Sequence, residues 1–192
     1  MAKKLSEMTL EELWQLFPIF LTEHQAVWGA WYEEKAARLK AYLPAGTRIS
    51  HIGSTAVEGI WAKPIIDILL EVPEEYPLPQ ISGLLMEHGW TRMSADQRRV
   101  SFNQGYTEQG FAERVFHLHL QYAGDHDELY FRDYLREHPV VAKEYEQLKL
   151  SLWKRYEHDR DGYTAAKGEL VARYTEEARR LYANRYGEEE SV

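Results

Sequence analysis

The stretch HIGSTAVEGIWAKPIIDILLEV, residues 51–72, decides the fold of this chain and contains its best candidate for chemistry. The pattern indicates the end of one strand, a tight Gly-Ser turn, a short irregular crossing and a second, apolar strand. That second strand, residues 65–72, contains Asp67 between isoleucines and no other charge before Glu71. Burying a bare carboxylate costs several kcal/mol. Asp67 must therefore be paired, hydrogen-bonded, bound to a metal or placed at the mouth of a cleft.

The composition indicates a single globular unit. The chain has 192 residues, of which 44% are hydrophobic and 13% aromatic, enough to bury a full core. It has no cysteine, which excludes disulfides, thiolate metal sites and thiol nucleophiles. No apolar run approaches the roughly 18 residues that span a bilayer, and the N-terminus lacks the apolar core of a secretory signal. We therefore expect a soluble, cytoplasmic protein that does not bind membranes.

The charge distribution argues against a nucleic-acid-binding face. The net charge is -8, and the basic residues are scattered among acidic ones. Nonspecific binding to nucleic acid requires clustered lysines and arginines that displace counterions. A local basic pocket remains compatible with this composition, whereas an extended basic surface does not. The oligomeric state is left open by the sequence.

The order of predicted elements is typical of an α+β fold. A capping box at Thr9 begins a first helix, and the spacing of apolar residues predicts a second helix over 28–43. Strands are predicted over 47–52 and 65–72, a loop over 71–80 and a short helix over 81–88. A hairpin follows, with strands over 98–102 and 113–122 around a polar turn. Helical spacing then continues beyond Gly124, so we expect a small sheet with flanking helices and a helical C-terminal third.

The Gly53-Ser54 turn is a candidate phosphate site. Glycine lets backbone N–H groups and a hydroxyl approach a phosphate without interference from a Cβ atom, although most such pairs are plain turns. Lys63 precedes a proline just before the Asp67 strand, so it is extended there and could neutralise phosphate charge or pair with a carboxylate. Lys167, in the last helix, is either a substrate contact or a solvated surface lysine.

The second constellation is a histidine pair. His117 and His119 are two residues apart on a strand, so both side chains point to the same face. Two imidazoles on one face can reach one metal ion, or one phosphate when protonated. The alternative for each is a role in the core or at the sheet edge. Asp67 has its own structural alternative, in which backbone N–H groups or an arginine satisfy it.

Several ordered blocks resemble a known family. The stretch 51–72, followed by HLHL, FRDYLREHP, EYEQLK and YTAAK, is similar to the GrpB-like proteins over about residues 24–183. Residues 1–20 are then expected to be an N-terminal helical extension, with residues 21–192 as a single domain. The resemblance implies a nucleotidyltransferase-like fold, a mixed sheet flanked by helices, and no defined reaction.

What the resemblance implies about the site is incomplete in this chain. In nucleotidyltransferases of that fold, a Gly-Ser turn meets the nucleotide phosphates, and a strand bearing Asp-x-Asp binds the metal ions. Carried over, Gly53 and Ser54 meet the phosphates and Asp67 is the first carboxylate, but Leu69 stands where the second is expected. Glu71 lies about 13 Å along the strand from Asp67, too far to share an ion.

The histidines offer a replacement for the missing carboxylate. If their strand lies beside that of Asp67, the hypothesis is one divalent ion (Mg, Mn or Zn) at Asp67, His117 and His119. Imidazole donors favour Zn²⁺ or Mn²⁺ over Mg²⁺ in such a set. The ion would face a pocket for a nucleotide or a phosphorylated small molecule, lined by Ser54, Thr55 and Lys63.

Three functions are compatible with this pattern. The first is a metal-dependent nucleotidyl- or phosphotransferase in which Asp67 is catalytic. The second is a nucleotide-binding module that kept the pocket and lost the transfer chemistry. The third is a hydrolase that uses a metal-bound water.

Overall fold

The structure is a computed structural model that describes residues 3–187. Its α-helices, in chain order, are α1 (Leu10–Leu16), α2 (Val27–Lys40), α3 (Leu78–Glu87), α4 (Asp127–Glu137), α5 (Pro139–Trp153) and α6 (Arg160–Leu181). Its strands are β1 (Arg48–Ile52), β2 (Ile65–Val72), β3 (Thr91–Ala95), β4 (Arg99–Thr107) and β5 (Gly110–Tyr122). Short 3₁₀ helices are formed by Leu5–Glu7 and Ser54–Ala56.

The five strands form one mixed sheet in the order β1-β2-β5-β4-β3. Strands β2 and β5 are parallel, whereas β1 with β2, β4 with β5 and β3 with β4 are antiparallel. The register of the parallel pair places Asp67 opposite His117 and Leu69 opposite His119. The α+β fold with a mixed sheet, flanking helices and a helical C-terminal third is therefore confirmed.

Strand alternation divides β2 between two layers. Ile66, Ile68 and Leu70 point into the main core, which they form with residues of α2, α3 and β5. The other face carries Asp67, Leu69 and Glu71, and there Leu69 packs with residues of β1 and α4. The side chain of Asp67 therefore lies on the face that the C-terminal helices cover. This layering positions the candidate site between the sheet and the C-terminal third.

Several predicted elements agree with the structure. The capping box at Thr9 is present, with its hydroxyl accepting from the Glu12 N–H and the Glu12 carboxylate accepting from the Thr9 N–H. The predicted strand over 65–72 matches β2 at both ends. The division into an extension of residues 1–20 and a domain of residues 21–192 stays a prediction, and residues 1–2 and 188–192 lie outside the described residues.

Three predictions of local structure were wrong. Helix α3 begins at Leu78 rather than residue 81, because Pro79 lies in the first turn, where its missing N–H is not needed. Strand β3 was not predicted, since its five residues are all exposed and show no alternation. The hairpin is longer than predicted: β4 and β5 continue through the polar stretch, and only residues 108–109 remain as the turn.

Candidate functional site

The Gly-Ser turn lies directly against Asp67. Gly53 has a φ of +73°, a backbone conformation that residues with a Cβ rarely adopt. A Cβ atom at this position would lie 2.5 Å from Asp67 Oδ2, closer than nonbonded atoms approach. The glycine therefore allows both the turn and its contact with the carboxylate. The turn and Asp67 are therefore in direct contact, and their shared role in binding a ligand stays a prediction.

Two arginines of α4 hydrogen-bond to the backbone on either side of the turn. Arg132 Nη1 donates to the His51 carbonyl at 2.9 Å, and Arg136 Nε donates to the Ala56 carbonyl at 2.8 Å. The Thr55 hydroxyl is buried, donates to the Ile65 carbonyl and contacts His51 Nε2 at 3.0 Å. Burial lowers the pKa of His51 to about 4, so its ring is neutral near pH 7. The Thr55 hydroxyl is thus occupied by His51 and Ile65, so it has no proton left to donate to a phosphate, contrary to the prediction from the sequence.

Asp67 meets both predicted histidines. Its Oδ1 lies 3.3 Å from His117 Nδ1 and 3.7 Å from His119 Nε2. Burial by itself raises the pKa of Asp67, but the two adjacent imidazoles outweigh it and hold that pKa well below its usual range. Burial lowers the pKa of His117 to about 4, against the attraction of Asp67. Near pH 7 the pair is therefore an ionised carboxylate beside a neutral imidazole.

The second nitrogen of His117 is also occupied, by two residues that the sequence pattern did not reveal. His117 Nε2 lies 2.8 Å from the Tyr106 hydroxyl and 3.0 Å from Arg160 Nη2, and the same Nη2 donates to the Tyr106 hydroxyl at 2.9 Å. A connected series of polar contacts thus runs from Asp67 through His117 to Tyr106 and Arg160. It fixes the ring orientation of His117.

Three lysines lie near Asp67 and the Gly53-Ser54 turn, although none of them lines the large cavity described below. Lys149 is buried, and its Nζ donates to Ser54 Oγ at 3.0 Å. Burial lowers the pKa of Lys63 and of Lys149 to about 7 and that of Lys167 to about 8. Lys63 and Lys167 lie 5.6 and 4.3 Å from the centre of the fully buried Tyr163 ring. Lys149 was not a candidate from the sequence, whereas Lys63 and Lys167 were.

These cations lack acidic partners within the part of the chain that the structure describes. Within residues 3–187, none of the following four residues forms an ion pair: Lys63, Lys149, Lys167 and Arg160. Glu146, three residues before Lys149, pairs instead with Lys143 at 2.6 Å. Asp67, which already contacts two imidazoles, and Glu146 are the carboxylates whose charge acts on these lysines. Positive charge therefore exceeds negative charge around Asp67 and the lysines, although the chain has a net charge of -8.

A metal ion fits this donor set poorly. Within residues 3–187, no group of three or more histidine, aspartate or glutamate side chains is arranged to hold an ion. Both His117 nitrogens face other protein groups, and Leu69, at the position of the missing second carboxylate, is fully buried. The surrounding lysines also repel a cation. Binding of Mg, Mn or Zn at Asp67, His117 and His119 stays a prediction.

The cleft has room for a ligand. A cavity of about 700 Å³ extends from Gly53, Ser54 and Asp67 to α4 and α6. Its far side is bounded by Arg132, Glu176, Arg179 and the acidic start of α4. A volume of this size lies within the range of small-molecule sites in proteins. The cavity thus reaches the Gly53-Ser54 turn and Asp67, while the three lysines lie outside its lining.

Comparison with known proteins identifies the family. The model of the GrpB protein family matches residues 18–177. The chain belongs to the GrpB family. Its relatives include the UPF0157 protein PA4798 of Pseudomonas aeruginosa, 40% identical over 144 residues, which cover 73% of this chain and 59% of that protein. The glutamate-rich protein GrpB of Alkalihalophilus pseudofirmus is 32% identical over 160 residues, which cover 80% of this chain and 91% of that protein.

A solved GrpB structure has the same fold. The conserved protein GrpB from Enterococcus faecalis superposes with a TM-score of 0.73 at 30% identity, covering 85% of this chain and 99% of that chain. The chain spans 59% of the P. aeruginosa relative and 53% of the UPF0157 protein YqkA of Bacillus subtilis, which is 30% identical over 92% of this chain. Among the helices of residues 3–187, none is both long and apolar enough to cross a membrane.

Proposed function

We propose that this GrpB-family chain binds the phosphate groups of a nucleotide or another phosphorylated small molecule in the Asp67 cleft. The observation that supports this is the unpaired positive charge of Lys63, Lys149 and Lys167 beside the Gly53-Ser54 turn. Burying the ammonium group of Lys149 and partly burying those of Lys63 and Lys167 without ion-pair partners is unfavourable. A bound phosphate would compensate them with charge-assisted hydrogen bonds.

The proposed contacts follow from the described geometry. Ser54 and the backbone of the 3₁₀ helix that follows Gly53 present donors at the cleft floor. Lys149, already bonded to Ser54 Oγ, brings positive charge to the same point. Lys63 and Lys167 add charge from the crossing segment and from α6. Asp67 limits how close an anion can come, which favours a ligand that spreads several negative charges across the cleft.

The direct test is isothermal titration calorimetry with tripolyphosphate and with ATP, CTP, GTP and UTP, in EDTA and in Mg²⁺ or Mn²⁺. We expect tripolyphosphate to bind without metal, and Lys167→Gln to weaken this binding at least tenfold. Arg173→Gln is the matched control, because it removes one positive charge from an exposed position of the same helix and its partner, Glu144, lies outside the cavity lining. Binding that is absent in every condition, or that both variants weaken equally, contradicts the proposal.

Proton uptake gives an independent readout. Lysines with a pKa of about 7 to 8 are only partly protonated at pH 7.5. A bound phosphate raises their pKa values, so the complex takes protons from the buffer. Titrations in buffers of different ionisation enthalpy should therefore show uptake of about one proton. No uptake would mean that the buried lysines are not the ligands.

A second candidate function is metal-dependent nucleotidyl or phosphoryl transfer, or hydrolysis, with Asp67 as the catalytic residue. It is supported by the convergence of Asp67 with His117 and His119. Asp67→Asn separates the two candidates. If the cleft binds phosphate alone, the variant binds tripolyphosphate more tightly, because a repelling charge is gone. If a metal ion at Asp67 is required, the variant loses both binding and turnover.

A further inference from the structure

A second cavity lies beside the cleft and has a different character. It has a volume of about 230 Å³ and lies between residues 17–25 and the β4–β5 hairpin. The rings of Phe17, Tyr106 and Phe111 form one wall, with centroid separations of 4.6 to 5.1 Å. Phe20 and Trp31 extend the aromatic lining. An engineered cavity of about 150 Å³ holds benzene, so this one has room for a single substituted ring or a compact bicyclic ring.

The N-terminal wall of this cavity is fixed in place. The Ile19 N–H donates to the Glu157 carbonyl at 2.8 Å, and Trp153 Nε1 donates to the Ile19 carbonyl at 2.7 Å. Thr22 and Ala62 form an isolated antiparallel bridge. Residues 19–22 are thus tied to the helical third and to the segment before β2. The aromatic cavity is a built feature of the fold.

Two cations line this otherwise apolar cavity. Lys63 and Arg160 both face it, and Glu113, an exposed residue, is its one acidic lining residue. Arg160 uses Nη2 for its bonds to Tyr106 and His117, which leaves its other donors without an acceptor in residues 3–187. Arg160 also touches His117, which contacts Asp67 of the cleft. Lys63 and Arg160 therefore line the aromatic cavity, and Arg160 connects it through His117 to Asp67.

The geometry points to a phosphorylated ligand that carries a planar aromatic ring, with the ring in the aromatic cavity and the phosphate at Lys63 and Arg160. This inference rests on the proposed function and adds the substrate class. The phosphate contacts the two cations of the cavity lining, Lys63 and Arg160. The ring packs against Trp31, Phe17 and Phe111, where aromatic faces favour offset or edge contacts. The cavity volume excludes a whole nucleotide and admits its base or a comparable ring.

Calorimetric titration with phenyl phosphate, methyl phosphate and inorganic phosphate tests this inference. We expect phenyl phosphate to bind at least tenfold more tightly than methyl phosphate. Trp31→Leu should reduce that preference to threefold or less and leave methyl phosphate unchanged, whereas Trp14→Leu, outside the cavity, should change neither. Arg160→Gln should weaken both esters at least fivefold. Arg92→Gln, which removes one positive charge from an exposed position of β3 outside the cavity lining, should weaken neither.

The outcomes separate this inference from the proposed function. Equal binding of phenyl and methyl phosphate overturns the inference and leaves the proposed function standing. A ring preference that survives Trp31→Leu also overturns it, because the ring then lies elsewhere. No binding of any phosphate, tripolyphosphate included, overturns both. Nuclear Overhauser contacts between the phenyl protons and the aromatic side chains of the unaltered protein give a check that does not depend on folding of the variants.

Discussion

Asp67 and Glu71 are two carboxylates on the same face of the same strand, and their surroundings are opposite. Asp67 is partly open to a cleft, touches two imidazoles and has a pKa below its usual range. Glu71 is 1% exposed, lies 2.8 Å from His126 and 3.9 Å from Arg48, and burial raises its pKa. Strand position therefore does not decide the state of a carboxylate. The pKa of each carboxylate depends instead on the side chains that the C-terminal helices and neighbouring strands place around it.

The contrast also separates a site from a structural residue. Around Asp67 the positive charge exceeds the negative charge, which leaves attraction for a ligand. Around Glu71, His126 and Arg48 lie close to the carboxylate, and the strand end is closed. Leu69, between them, packs in the core and divides the two environments.

The largest expected effect comes from Gly53→Ala, which pushes the turn away from Asp67. It combines the strain of a positive φ with a Cβ contact to the carboxylate, so we expect a loss of about 3 kcal/mol in the free energy of unfolding. Gly59→Ala is the matched control. Gly59 has a φ of +75°, and a methyl group added there would meet no atom within 4 Å, so strain alone should cost about 1 kcal/mol. Urea unfolding at pH 7 measures both, and equal losses would show that the Asp67 contact is unimportant.

The next effect is a pH dependence that His51 contributes from the turn. Its pKa in the folded state is about 4, below the ordinary value of 6.5, so the unfolded chain takes up a proton first as the pH falls. Stability should fall by on the order of 2–3 kcal/mol between pH 6.5 and pH 4 from this residue. His51→Gln should reduce the slope of that part of the profile by about half, because His117 has a similarly lowered pKa and its contribution remains. A variant profile parallel to that of the unaltered protein would show that His51 is not the group responsible.

Neutralising the two carboxylates should change stability in opposite directions. The lowered pKa of Asp67 stabilises the fold above the ordinary carboxyl pKa and loses its effect in acid, so Asp67→Asn should cost about 2 kcal/mol at pH 7. The raised pKa of Glu71 destabilises the fold as the pH rises above 4.5, so Glu71→Gln should gain about 1 kcal/mol at pH 8. Chemical unfolding at several pH values measures both, and changes of the same sign would remove the contrast.

The smallest effect should come from Arg48→Gln. Arg48 is half exposed and its guanidinium lies 3.9 Å from Glu71, so its removal should cost less than about 1 kcal/mol. It should also raise the pKa of Glu71 further, which carboxyl chemical shifts measured against pH can detect. A loss as large as that of Asp67→Asn would mean that Arg48 is the main partner of Glu71.

The sequence predicted the parts of the site that depend on local pattern. The limits of β2 follow from an apolar run interrupted only by Asp67 and Glu71, and the approach of Gly53 to Asp67 is compatible with a glycine next to a strand end. The placement of His117 beside Asp67 was conditional on two strands being neighbours, and the register of β2 and β5 confirms it. The assignment of the chain to the GrpB family is confirmed too.

The missed residues reach the site by tertiary packing or by a local irregularity. Lys149 and Arg160 arrive from α5 and α6, and no local period indicates which helix face meets the sheet. Tyr106 was placed in the hairpin turn. In the structure Gly105 has a φ of +95° and a register shift occurs between Gln104 and Tyr106, which re-aims the tyrosine toward His117. A glycine inside a strand pattern signals such a bulge, so Tyr106 was accessible to sequence reasoning.

The parallel pairing of β2 with β5 has a consequence for the order in which the chain folds during synthesis. During synthesis from the N-terminus, the Asp67 strand is made well before the histidine strand that must lie beside it. Until residues 110–122 emerge, one edge of an apolar strand is open to wrong partners. The contact of Asp67 with the histidines and the protection of this strand edge thus form together, when the same late strand is made.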